Sequence, residues 1–180
     1  MMFCMSAKRD SPGPDHKPEV SEVLLIDGVI TETSPIVSYN EDNLLTEIYR
    51  PEWVGVFERG ETIEHIYTVF APTGGIRKEW YYHEHTTDRY IVLKGELKLG
   101  LYDGRKDSKT YGGFTVISLG ESGSGFPNAI RIPPLVWHSL KWESDQGMFM
   151  VAKLPGYQRE SPDKFRVSPE NYPEAIIWNI

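Results

Sequence analysis

Three of the five histidines fall in two short segments whose spacing suggests chemistry. The first runs Trp80-Tyr81-Tyr82-His83-Glu84-His85-Thr86-Thr87-Asp88. Read as a strand, it turns residues two apart to the same face, so His83 and His85 would present two imidazoles side by side. The second runs Ile130-Arg131-Ile132-Pro133-Pro134-Leu135-Val136-Trp137-His138, a strand ended by two prolines that fix the angle at which His138 starts the next strand. If both segments line one interior, His83, His85 and His138 converge with an open position, and Asp88 can complete the set. Such a site suits divalent iron, nickel, manganese or zinc. Without metal, paired imidazoles can exchange protons near neutral pH, because their unperturbed pKa is about 6.5. Of the other two histidines, His16 lies in a polar N-terminal stretch and His65 is expected on a sheet surface.

The elements that must position these residues read as strands. From Val23 onward, short runs rich in Val, Ile, Leu, Tyr and Phe alternate with Gly, Pro, Asp and Asn. Strands are predicted over 23–26, 44–49, 53–58, 64–71, 76–82, 89–93, 96–102, 114–119, 129–132, 138–142 and 147–153. In Glu96-Leu97-Lys98-Leu99-Gly100-Leu101 every second side chain is leucine, so one face must pack on a core. There is no convincing amphipathic helix, internal repeat or interior linker. Residues 1–20, rich in proline and charge, are predicted to form a flexible arm, followed by one domain over 21–180.

Composition narrows the function. The chain has 180 residues with a formal charge of −7, which disfavours electrostatic capture of nucleic acid or an anionic membrane surface. No apolar run approaches the roughly 20 residues of a membrane-spanning helix. The single cysteine, Cys4, permits neither an intrachain disulfide nor a cysteine-based zinc site. A cytoplasmic protein is expected.

The two histidine segments resemble the paired motifs of the cupin superfamily. His83-x-His85, then Asp88, then six residues to Gly95 match the first motif, with aspartate for the usual glutamate and one residue early. Pro133 to His138 match the second, with Leu135 where the motif has glycine and Trp142 where it has asparagine. Within cupins the chain is most similar to the dTDP-4-dehydrorhamnose 3,5-epimerases. Leu44 to Arg50, Lys94-Gly95-Glu96-Leu97, Ser108-Lys109-Thr110-Tyr111-Gly112, Ile132-Pro133-Pro134 and Ile176-Ile177-Trp178-Asn179 resemble that family's segments in the same order. His83-Glu84-His85 and Val136-Trp137-His138 also resemble the related dTDP-sugar 3,4-ketoisomerases.

The resemblance implies an all-β fold, a cupin jelly-roll barrel of two antiparallel sheets, and a homodimer. It implies an enzyme that epimerises or isomerises a dTDP-4-keto-6-deoxyhexose without a cofactor, with His83 and His85 transferring protons, His138 lining the cavity and Tyr157 near the position of the epimerases' tyrosine acid. Arg77, Lys78 and Arg131 are candidates for the substrate diphosphate, by guanidinium fork or ammonium charge. Trp137, with Trp80 and Trp142, is a candidate for stacking on base or sugar. The same alignment places Tyr81 at the epimerases' general-base position, Asp88 at the lysine that steadies their enolate, and Ile180 at their closing aspartate. Two alternatives stand beside this reading. One is a metal-dependent dioxygenase or small-molecule isomerase with a divalent ion on His83, His85, His138 and Asp88; the other is a non-catalytic sugar-binding protein.

Overall fold

The leucine alternation predicted for residues 96–102 is present: Leu97, Leu99 and Leu101 are fully buried on one face of a strand, Glu96–Asp103. In the computed structural model, which describes residues 18–23, 26–40, 43–76, 79–168 and 171–172, this is the ninth of fourteen strands. In chain order they are β1 (Glu19–Glu22), β2 (Ile30–Thr33), β3 (Ile36–Asn40), β4 (Asn43–Thr46), β5 (His65–Ala71), β6 (Gly75–Ile76) and β7 (Tyr81–Tyr82). There follow β8 (Thr87–Lys94), β9 (Glu96–Asp103), β10 (Phe114–Gly120), β11 (Ala129–Ile132), β12 (Val136–Trp142), β13 (Gly147–Leu154) and β14 (Phe165–Arg166).

They form two antiparallel sheets, β1-β2-β11-β8-β13-β5 and β10-β9-β12-β7-β14, with β6 on β12 and a separate β3-β4 pair. This is a jelly roll of two sheets. The main core lies between them, where Tyr90, Val92, Ile130, Ile132, Phe149 and Val151 of the first sheet meet Leu97, Leu99, Leu101, Leu140 and Trp142 of the second. Each such aliphatic side chain contributes about 1.5–3 kcal/mol on burial, and Leu99→Ala would forfeit that and leave a cavity.

The predicted strand at 53–58 does not form. The segment instead covers the outer face of the first sheet, where Val56 and Phe57 pack on Ile91, Ala129 and Ala152. Its backbone groups bond to buried side chains rather than to a ladder: the Val56 amide donates to Glu32 at 2.9 Å, and Arg89 Nε donates to the Val56 carbonyl at 2.9 Å. Arg89 also pairs with Glu61 in this layer. Gly55 is required here, because a Cβ would lie 2.1 Å from the Glu32 carboxylate.

At the N-terminus β1 starts at Glu19, within the stretch predicted as arm, and Val23 and Ile26 lie in the turn that follows. β2, β3 and β14 were not predicted. The run predicted at 76–82 is broken into β6 and β7. The closing segment 176–179, Ile180, Cys4 and His16 lie outside the described residues.

Candidate active site

A cavity of about 380 Å³ opens between the sheets. Period-two alternation builds its walls: β13 turns Phe149, Val151 and Lys153 inward, β8 turns Asp88 and Tyr90 inward, and β5 contributes His65, Tyr67 and Val69. Across from them stand Tyr81 of β7 and His138 and Leu140 of β12. The cavity is apolar around Val69, Leu140, Phe149 and Val151 and polar where His83, Asp88, His138 and Lys153 meet.

Those four polar residues are all buried. The Asp88 Oδ2 atom lies 3.1 Å from His83 Nε2 and 3.6 Å from His138 Nε2, and it accepts the Tyr90 hydroxyl at 3.2 Å. The Lys153 ammonium lies 2.7 Å from Asp88 Oδ1 and donates to His83 Nε2 at 3.0 Å. The two imidazole rings stack at 5.9 Å between centroids. Each is oriented by a backbone carbonyl: His83 Nδ1 meets the carbonyl of Asp163, and His138 Nδ1 meets that of Val136 at 3.1 Å. A carbonyl only accepts, so Nδ1 carries the proton in both rings and Nε2 faces the carboxylate.

Burial pushes His138 down to about 4, against the opposing pull of Asp88, so its ring is neutral at pH 7. Burial alone would raise Asp88. The His83 imidazole beside Oδ2, the His138 ring and the Lys153 ammonium outweigh it and hold the carboxyl well below the usual range.

The strand geometry expected for His83-x-His85 is not what forms. Residues 83–86 make a turn in which the Asp163 carboxylate accepts the amides of Glu84, His85 and Thr86 at 2.8, 3.0 and 2.7 Å. A loop carboxylate far along the chain thus replaces ladder pairing, and the two histidines diverge. His83 points into the cavity, whereas the His85 side chain is 78% exposed and faces away from it. Leu135, in the place of the cupin glycine, adopts the left-handed conformation that glycine favours, with φ of 62°, and its amide donates to the His83 carbonyl at 2.6 Å. The second histidine segment therefore clasps the first.

The other predicted residues distribute as follows. Tyr157 lies at the cavity mouth beside His65, their ring centroids 6.5 Å apart, so His65 faces the cavity rather than a sheet surface. Arg131 points away on the outer face of the first sheet and pairs with Glu58 at 3.1 Å. Trp137 packs on the outer face of the second sheet against Tyr82 and Tyr102, as Trp80 does beside Tyr102 and Val167. Trp142 belongs to the main core. Arg77 and Lys78 lie outside the described residues. The sequence reading missed Lys153, whose signal was a charge at the third inward position of an otherwise apolar strand. It also missed Asp163, for which the sequence holds no signal.

Three ligand atoms, from His83, Asp88 and His138, lie within 4.8 Å of one another and could hold a cation. The Lys153 ammonium, however, already contacts both Asp88 and His83. With this lysine in place the group has its own positive charge, and a divalent ion does not fit beside it.

Fold and cavity together are those of a two-sheet jelly roll with a buried polar group between its sheets. No family model matches the chain. It is 28% identical over 145 residues to the probable low-salt glycan biosynthesis epimerase Agl13 of Haloferax volcanii, covering 79% of this chain and 88% of that one. Among solved structures, the dTDP sugar isomerase of Desulfovibrio desulfuricans superposes with a TM-score of 0.69 at 19% identity, covering 82% of this chain and 88% of the other. The dTDP-4-dehydrorhamnose 3,5-epimerase of Elizabethkingia anophelis superposes with a TM-score of 0.70 at 14% identity, covering 92% and 88%. The chain has the jelly-roll fold of these sugar epimerases and isomerases.

Proposed function

We propose that the protein is a cofactor-independent enzyme that epimerises or isomerises a nucleotide-linked 4-keto-6-deoxyhexose by removing a proton next to the ketone. The observation that carries this reading is the buried group of His83, Asp88, His138 and Lys153 at the polar end of a cavity of about 380 Å³, a size suited to one sugar ring. Of the relatives named above, the two dTDP-sugar enzymes support the substrate class, and the probable glycan biosynthesis epimerase supports the type of reaction.

His83 is the base. Its Nδ1–H bond to Asp163 aims Nε2 into the site, and Asp88, 3.1 Å from Nε2, stabilises the imidazolium that forms. The C–H electron pair becomes the enolate double bond, and the former carbonyl electrons move to oxygen. A proton returned to the same carbon from the opposite face gives the epimer, and one delivered elsewhere on the enediol gives the shifted ketone. Tyr157, at the cavity mouth, serves as the acid in this reading, and neutral His138 orients the sugar. His85 has no part in this reading, because it faces solvent. The test is turnover of dTDP-4-keto-6-deoxyglucose by wild type and by His83→Asn. The variant should be slower by about 10²–10⁴-fold, and equal rates would remove His83 from the mechanism.

The ligand cluster His83, Asp88 and His138 favours the metal-dependent alternative. Protein purified without added metal should carry none in stoichiometric amount, and EDTA should leave turnover unchanged. Near-stoichiometric metal lost in His138→Ala would reverse that. A homodimer accords with the exposed Ile66 and Phe70 on β5, an edge strand of the first sheet, and a cytoplasmic setting accords with the single cysteine. Among the described residues no helix is long and apolar enough to cross a membrane.

A further inference from the structure

The polar end of the cavity holds one group whose role the base and acid leave open. Lys153 is only 6% exposed, on the inward face of β13 behind Phe149 and Val151, where lysine is rare unless paired. Its partner is Asp88, directly opposite in the β13–β8 register. An ammonium has three N–H donors. Among the described residues it meets Asp88 Oδ1 at 2.7 Å and His83 Nε2 at 3.0 Å, which leaves a donor for a ligand in the cavity.

We propose that Lys153 is the catalytic cation of this site, binding the sugar's keto oxygen and stabilising the enolate, and that Asp88 holds its ammonium in place across the two strands. The proposal rests on the sugar-enzyme reading above and deepens it. The β13–β8 register sets the ammonium of Lys153 level with the Asp88 carboxylate, at the polar end of the cavity wall.

The arrangement also couples the two chemical roles. In the resting site the Lys153 N–H donates to His83 Nε2 and occupies the lone pair that must take the substrate proton. When the ammonium turns to the keto oxygen, the lone pair is released. The proton from carbon then goes to His83 Nε2, and the negative charge arriving on oxygen meets Lys153, with Asp88 keeping the group balanced. Preorganised charge at a developing oxyanion is among the larger contributions to catalysis.

The test measures deuterium incorporation next to the ketone of dTDP-4-keto-6-deoxyglucose, together with affinity for the same compound. Lys153→Met should lower the exchange rate by about 10²-fold or more while affinity changes by less than about threefold, and Lys153→Arg should keep part of the rate. Because Lys153→Met leaves Asp88 buried without its partner, the neutral pair Asp88→Asn/Lys153→Met serves as the folding control. It should unfold cooperatively and still fail to exchange.

The decisive variant exchanges the charges, Asp88→Lys/Lys153→Asp. It returns an ammonium to the same place from the other strand and should exchange at least about tenfold faster than Lys153→Met. A structural role for the pair predicts no such rescue. If Lys153→Met exchanges within about threefold of wild type, or the folded swap is no faster than Lys153→Met, the proposal is overturned while the sugar-enzyme reading stands. If wild type shows no exchange, both fall.

Discussion

Lys153 and Asp88 face each other across β13 and β8, with ammonium and carboxylate 2.7 Å apart and both side chains buried. Neither charge is tolerable in that place without the other. Removing one partner of such a pair costs about 3–5 kcal/mol, because the remaining charge stays buried and uncompensated. Asp88→Ala should therefore lower the urea midpoint strongly. The neutral double variant Asp88→Asn/Lys153→Met should recover most of the loss, and an unchanged midpoint in Asp88→Ala would contradict the pairing.

His138 makes stability depend on pH in a window of its own. Burial lowers its folded pKa to about 4 from an ordinary 6.5, so between these values the unfolded chain binds a proton that the folded one refuses. Its contribution is complete above pH 6.5 and is lost as pH falls toward 4, at up to about 1.4 kcal/mol per pH unit. Asp88 acts lower: its carboxyl is held below the ordinary 3.8, so its contribution persists until the pH drops beneath that value. His138→Gln should flatten the fall in stability between pH 6.5 and 4, and an unaltered slope would show that another group sets it.

Leu135 sits at φ of 62°, where a side chain costs about 1–2 kcal/mol. Leu135→Ala and Leu135→Gly remove the same half-exposed side chain but differ in backbone freedom. The glycine variant should be the more stable of the two by about 1 kcal/mol, read from denaturation midpoints. An alanine variant of equal or greater stability would mean that this backbone is not strained.

The sequence made the sheets and one half of the site legible, and particular residues show why. Leu97, Leu99 and Leu101 alternate cleanly and proved to be core. Pro133 and Pro134 end β11, as expected, and His138 of β12 lines the cavity. His83 and His85 were misread as a same-face pair, because the turn that parts them is made by Asp163, a contact no local pattern encodes. The segment at 53–58 has strand-like composition but spends its backbone hydrogen bonds on Glu32 and Arg89. Lys153 was visible as a charge on an apolar face, yet its meaning depends on the register that brings it opposite Asp88.

Enolisation of a nucleotide-linked keto sugar at His83, as proposed above, leaves an isotopic trace whatever the product. Proton NMR of dTDP-4-keto-6-deoxyglucose in deuterated water, with and without the protein, reads that trace. Protein-dependent deuterium uptake is expected at a carbon flanking the ketone, strongly slowed in His83→Asn; uptake at carbon 3 alone would match a ketoisomerase or single epimerase, and uptake at both carbon 3 and carbon 5 would match double epimerisation. No uptake with folded wild-type protein would rule the enolisation out.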